Sequence, residues 1–489
     1  MILSLVGHNF KYELEKLIRI FMPFEKILFS EDAVVSKCSA ITERRTENGK
    51  TKLSARLILG NKDICKNTVI DENINEYDKE CERVLAVLLF ECFTEITGYI
   101  PEWGILTGVR PAKLFSRLTK QNGIEKTECY FRDKLKVCDK KISLCKDAVK
   151  GEEQIISLSS PNSFSLYISV PFCPTRCSYC SFVSHSVEKA AKLIPQYVEK
   201  LCEEIKITGE KASKAKLTLE TVYIGGGTPT TLSASQIETV MKTVADSFDL
   251  SSLREYTVEA GRPDTITEDK LTAIKKGGAT RISINPQTMN DTVLEKIGRK
   301  HTVKQTVDAF LLARKCGFNN INMDLIAGLP GDTFESFKST VEQICSLNPE
   351  SVTVHSLSMK RASSLTAREE FPELEAGAQA GKMVDFAREY LNKKDIFAYY
   401  MYRQSKTVGN LENVGYSKTG YECLYNVYIM DETHSILACG ASAVTKLREP
   451  KGDYIERIYN YKYPYEYISR FDELIERKKG ISDFYEKYS

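Results

Sequence analysis

The chain has 489 residues, 42% of them apolar, and its 68 Lys and Arg nearly cancel 66 Asp and Glu to leave a formal net charge of +2. That length exceeds one ordinary core and predicts two or three domains, while the balanced charge excludes a global field that would draw in nucleic acid or an anionic membrane. The opening stretch MILSLVGHNFKYELEKLIRIF has no basic segment ahead of an apolar core, and no later apolar run reaches membrane-spanning length, so the expectation is a cytoplasmic protein with no membrane span and no nucleic-acid partner.

Residues 1–100 read as a small α+β domain. ILSLVG, AVVSKCSAIT and KLSARLILG alternate or run apolar like strands, with helical periodicity from Lys11 to Phe24 and from Asn73 to Thr97. No chemistry is visible there, and a packing or docking role is expected. Residues 101–160 read as a helical connector. Pro101 and Gly104 break the pattern around the single tryptophan, Trp103, and Gly108 and Pro111 frame Arg110 and Lys113 before a helical run. Cations at a helix start oppose its dipole, so this pair either invites an anionic partner or is simply solvated beside a core tryptophan.

From 161 to 363 the texture changes to short β-rich runs separated by amphipathic helices. The runs are LYISV, TVYIGGG, EYTVEAG, TRISIN, INMDLIAGLPG and SVTVHSLS, with helical segments at Ile194–Thr208, Ser233–Asp246, Glu268–Lys276, Thr302–Lys315 and Thr333–Leu347. Strand-then-helix repetition predicts a parallel α/β sheet. Residues 364–489 follow as an α+β cap: a helix over Glu373–Asn392, the tyrosine-rich AYYMYRQ, then NLENVGYSKTGYECLYN, ILACGASAV and a helical tail.

Cys173, Cys177 and Cys180 stand at C-x3-C-x2-C spacing just past the run Leu166–Val170, while the other twelve of fifteen cysteines are scattered without repeated spacing. Small and turn-forming residues, Pro174, Thr175 and Ser178, separate the three thiols and permit a tight loop. Three thiolates would hold an iron–sulfur cluster with one iron left open to chelate a small molecule. A zinc knot would need a fourth ligand, which neither His185 nor Cys202 supplies convincingly, and three unrelated core cysteines are the remaining alternative. Gly225, Gly226 and Gly227 directly after TVYI would let backbone groups approach a ligand, or would merely make a tight turn. Glu259 would accept hydrogen bonds from a ligand, or would pair with Arg262.

These residues, with Tyr167 before the cysteines and the motifs WGILTGVRP, GGGTPT, VEAGRPDT, RISINPQ, NINMDLIAGLPG and NLENVGY, resemble radical S-adenosylmethionine enzymes. The resemblance is to the oxygen-independent coproporphyrinogen III oxidases, in their Z-type branch, the coproporphyrinogen dehydrogenases. It implies a partial (β/α)6 TIM-like barrel whose chemistry gathers at the strand carboxyl ends. It implies a 4Fe–4S cluster on Cys173, Cys177 and Cys180, and one or two molecules of S-adenosyl-L-methionine. Tyr167 matches the family residue beside the sulfonium and is the implied catalytic residue. Gly226, Gly227, Thr228, Glu259, Gln287, Arg299, Asp324, Val354 and Val444 match cofactor contacts. Phe172 and Phe182 are candidates to shield the cluster.

The activity implied is that of an oxidoreductase of porphyrin and haem biosynthesis. One electron, from a donor such as flavodoxin or ferredoxin, cleaves the sulfonium, and the resulting 5′-deoxyadenosyl radical takes hydrogen from the β-carbon of a tetrapyrrole propionate. Loss of carbon dioxide and one electron then leaves a vinyl group, and two rounds convert coproporphyrinogen III to protoporphyrinogen IX. Four substrate carboxylates call for cations, with Arg110, Lys113, Arg262 and Arg403 as candidates and Tyr399, Tyr400 and Tyr402 flanking the macrocycle or serving as core tyrosines. The sequence departs from the best-known branch, with Ser169 in place of a histidine and Phe182 in place of a cysteine. The alternatives are a haem chaperone on the same scaffold or another radical reaction on a tetrapyrrole.

Overall fold

A computed structural model describes residues 1–73, 76–180, 184–358 and 373–488. It divides into two compact units, one formed by Met1–Val149, Glu370–Gly381 and Tyr402–Glu412, the other by Lys150–Glu369, Lys382–Met401 and Asn413–Ser489.

The first unit holds a five-stranded sheet of β1 (Ile2–Val6), β2 (Leu28–Ser30), β3 (Cys38–Glu47), β4 (Lys50–Leu59) and β5 (Lys62–Asp71), in the order β2-β1-β3-β4-β5. Alternation along β4 turns Leu53, Ala55 and Leu57 inward while Lys52, Ser54 and Arg56 face away. The helices Lys11–Phe21 and Tyr77–Thr97 cover the apolar face, with Phe21 stacked on Phe93 at 4.7 Å. β5 was absent from the sequence expectation because every residue on it is half-buried or exposed, leaving no apolar pattern to read. Its ladder with β4 holds it in place.

The same unit joins two motifs that lie far apart in the chain. Trp103 donates its indole N–H to Glu412 Oε2 at 2.7 Å, and Lys141 Nζ meets Glu412 Oε1 at 2.7 Å and Glu102 at 2.9 Å. All of Trp103, Lys141 and Glu412 are buried, so each polar group depends on the others for the partners that water would supply. Arg403 stacks over Trp103 at 5.2 Å and gives its Nη atoms to the carbonyls of Leu106, Gly108 and Asn410. At 3% exposed it is a packing strut, not the propionate contact anticipated from sequence.

The remaining strands are β6 (Ser163–Val170), a short ladder of β7 (Phe172–Cys173) with β8 (His185–Ser186), β9 (Thr218–Gly226), β10 (Glu255–Glu259), β11 (Arg281–Ser283), β12 (Ile321–Ala327) and β13 (Ser351–Ser356), followed by β14 (Phe397–Arg403), β15 (Glu412–Ser417), β16 (Ser435–Cys439), β17 (Val444–Arg448) and β18 (Ile455–Tyr459). An eleven-stranded sheet runs β14-β15-β13-β12-β11-β10-β9-β6-β16-β17-β18. The strands expected from sequence, β6 and β9 to β13, are parallel neighbours in chain order. The helices between them start where capping residues stop the chain, Ser233 with Gln236 and Thr302 with Gln305 forming reciprocal capping boxes.

The sheet extends past the six expected strands. β16 pairs parallel with β6, and antiparallel strands continue both edges, so the stretch expected as a cap contributes strands to the sheet itself. All five residues of β16 are buried, and so short an apolar run carries no period of its own. The turn after β16 is held from beneath. Glu204 accepts from Gly440 N at 2.7 Å, Asn460 Nδ2 at 2.8 Å, Tyr467 Oη at 2.6 Å and Lys478 Nζ at 3.0 Å, with Glu204 and Lys478 wholly buried. Among the described residues no helix is long and apolar enough to cross a membrane.

Candidate active site at the strand ends

The cysteine loop leaves the carboxyl end of β6 and is pinned to the end of a neighbouring helix. Ser178 N and Oγ both donate to the carbonyl of Ile297, at 3.0 and 3.2 Å, and Thr175 Oγ1 donates to that of Gly298 at 3.4 Å. Cys180 N closes a tight turn onto Cys177 O at 3.2 Å. Phe172, fully buried, packs edge-on against Tyr197, whereas Phe182 lies outside the described residues.

The glycines after β9 bring that strand end against the loop. Gly227 N donates to Val170 O at 2.8 Å, and a Cβ on Gly227 would lie 2.6 Å from the Phe172 carbonyl oxygen and 3.0 Å from Cys173 Sγ. Gly226 has φ +111°, a conformation that L side chains rarely adopt. Thr228 directs its hydroxyl to Cys173 Sγ at 3.5 Å. This side-chain-free cradle beside Cys173 suits a cluster and a small ligand on its open iron.

The next strand ends bring polar groups toward the same interior. Glu259 closes β10 and accepts from the Tyr223 hydroxyl, not from Arg262, which pairs with Asp264. Burial pushes the Glu259 carboxyl up to about 7; Asp324 adds to the rise, while Tyr223, Arg281 and His355 oppose it. On β12, Asp324 accepts from Asn322 Nδ2 at 2.7 Å and faces His355 Nε2 at 3.8 Å. Burial alone would raise the Asp324 carboxyl, but His355, Asn322 and Thr353 hold it below its ordinary value.

Gln287, in the loop after β11, adopts φ 72°, bridges to β12 through Gln287 N to Asp324 O at 2.9 Å, and leaves its Oε1 buried with no protein partner. A positive-φ non-glycine backbone together with an unpartnered buried acceptor makes Gln287 a candidate ligand contact. Arg299 donates Nε to the Tyr179 hydroxyl at 3.2 Å and Nη1 to the Asn285 carbonyl, tying the loop between Cys177 and Cys180 to the β11 end.

Val354 is buried on β13 opposite Val414, and Val444 opens β17 just past the turn where a Cβ on Gly440 would meet Ser169 O at 2.5 Å. Tyr399 and Tyr400 are buried core residues, and Tyr402 is half-buried. Arg110 precedes the helix Pro111–Asn122, and Lys113 is exposed in its first turn.

Sequence reasoning missed Tyr223 and Tyr425. The rings of Tyr167, Tyr223 and Tyr425 form a near-parallel cluster, with centroids 6.2 Å (Tyr167–Tyr223), 4.6 Å (Tyr223–Tyr425) and 6.0 Å (Tyr167–Tyr425) apart. The strand TVYI carried half of the signal, because Tyr223 lies directly across from Tyr167 in the β6–β9 register. Tyr425 comes from a helix remote in sequence, and no spacing pointed to it.

The model for the radical SAM superfamily matches residues 167–344. That match, with the cysteine loop leading into parallel strands in chain order, defines a protein of the radical SAM α/β fold, with a 4Fe–4S cluster and S-adenosylmethionine as cofactors. The chain is 36% identical over 425 residues, 85% of its own length and 84% of the other's, to the oxygen-independent coproporphyrinogen-III oxidase-like protein HemZ of Bacillus subtilis. It belongs to the oxygen-independent coproporphyrinogen-III oxidase-like family of radical SAM proteins. It is also 40% identical over 200 residues to the heme chaperone HemW of Lactococcus lactis, covering 41% of this chain and 50% of that protein. Among solved structures it is similar to the coproporphyrinogen III oxidase HemN of Escherichia coli, with TM-score 0.49, 22% identity, and coverage of 65% and 71% of the two chains.

Proposed function

We propose that the protein is a radical SAM oxidoreductase that converts two propionates of coproporphyrinogen III to vinyl groups without oxygen, giving protoporphyrinogen IX. The observation that carries this reading is the orphaned Gln287 acceptor, which stands with Glu259 and Asp324 at successive strand ends beyond the cysteine loop, a set of polar groups that cluster binding alone would not require. When bound, the cluster and S-adenosylmethionine supply one-electron cleavage and a group able to take hydrogen from an unactivated carbon.

The chain's own residues do the placing. Cys173, Cys177 and Cys180 hold the cluster, and the backbone of Gly226 and Gly227 admits the methionine end of the cofactor. Glu259, Gln287 and Asp324 accept from its amino and ribose groups, while Arg299 braces the loop. Tyr167 covers the reacting end and keeps water from it, with Val354 and Val444 at the periphery. A small reducing protein such as flavodoxin or ferredoxin is the proposed electron donor.

Similarity to heme chaperones over the core supports a second reading, haem carriage on the same scaffold. Anaerobic incubation of reconstituted protein with S-adenosylmethionine, a strong reductant and coproporphyrinogen III separates them. Equivalent 5′-deoxyadenosine and vinyl product are expected. Deoxyadenosine without vinyl product would assign another substrate, and haem binding with neither would assign the chaperone.

A further inference from the structure

Arg262 belongs to the cluster loop rather than to a substrate. Its guanidinium is 3% exposed, and its Nε and Nη2 form a two-pronged pair with Asp264 Oδ1 and Oδ2 at 2.9 and 2.8 Å. That pairing fixes the plane of the fork and aims the remaining nitrogen. Nη1 lies 3.1 Å from Thr175 Oγ1, 3.5 Å from Thr175 O and 3.8 Å from Cys177 Sγ. Its donors are thereby committed to the loop and to Asp264. On the other side of the loop the Thr228 hydroxyl points at Cys173 Sγ from 3.5 Å.

We propose that the Asp264–Arg262 pair is a positioning device that sets the reduction potential of the cluster held by Cys177. The proposal rests on the reading of the three thiols as cluster ligands. Reduction adds one negative charge to a cluster already carrying thiolate ligands. A buried positive N–H donor directed at one of those sulfurs favours the reduced form and raises the potential, while the carboxylate behind it tempers that charge. Burial strengthens both effects, since little water screens a charge at this depth.

A strut that only held the loop would be weakened alike by loss of either partner. Charge tuning instead predicts opposite signs. In anaerobically reconstituted full-length protein, iron and sulfide are measured first, followed by a potentiometric titration monitored by the electron paramagnetic resonance of the reduced cluster. Arg262→Gln is expected to move the midpoint to more negative potential, and Asp264→Asn to less negative potential, each with wild-type iron content. Unmoved midpoints, or shifts of the same sign in both variants, overturn the proposal. Should Arg262→Gln fail to retain iron, Asp264→Asn decides alone, and an unmoved or more negative midpoint overturns it. Wild-type protein that takes up no iron would instead overturn the cluster assignment on which the proposal rests.

Discussion

Tyr167 and Tyr223 face one another across β6 and β9, with rings stacked at 6.2 Å and 24°. The second tyrosine also holds Glu259 through its hydroxyl, so one side chain orients two of the groups proposed to meet the cofactor.

Tyr223→Phe preserves the stack and removes only that hydrogen bond. A bond to a carboxylate contributes on the order of 1.5 kcal/mol, so S-adenosylmethionine affinity is expected to fall about tenfold. Cluster content should be unchanged. Anaerobic equilibrium dialysis with iron quantification checks both, and unaltered affinity would detach Tyr223 from the cofactor site.

Gly227→Ala places a methyl 2.6 Å from a backbone oxygen and 3.0 Å from Cys173 Sγ, neither of which can move without shifting the loop. Reconstituted protein should bind well under the wild-type iron complement. Gly108→Ala, where nothing lies within 4 Å, should retain it in full.

Glu259 titrates near 7 in the fold, raised by burial, against about 4.3 in an unfolded chain. The folded state therefore binds the extra proton between these values, and stability from this group, complete below about pH 4, is lost as pH rises through 7. Glu259→Gln cannot ionise. Its melting temperature in the absence of S-adenosylmethionine should match wild type at acidic pH, exceed it increasingly toward pH 7, and hold a constant margin above. A margin independent of pH would refute the raised carboxyl.

Lys478→Met strands the buried carboxylate of Glu204 beneath the turn that leads from β16 to β17. Breaking such a pair costs about 3–5 kcal/mol, whereas replacing both partners by neutral groups costs much less. Denaturant unfolding should show the single variant strongly destabilised and Lys478→Met with Glu204→Gln largely restored. Equal losses would mean that the charge itself is not what the pair compensates.

Much of the fold was legible because β6 and β9 to β13 are buried on repeating strand–helix units, whose apolar runs and capping residues are local signals. The same holds for the cysteine loop, where three thiols and their small spacers lie within eight residues. β5 and β16 were not legible, the one lacking any apolar pattern and the other too short to show a period.

Local sequence thus determined which residues could carry cluster chemistry and that a parallel sheet would present them, since both depend on neighbours a few positions apart. Tertiary structure alone decided that Arg262 turns to Asp264 and Cys177 and not to Glu259, that Arg403 is spent on backbone carbonyls, and that Tyr425 completes a stack begun on two strands. A cation or an aromatic ring can satisfy many partners, and only the packed chain selects among groups that lie up to hundreds of residues apart in sequence.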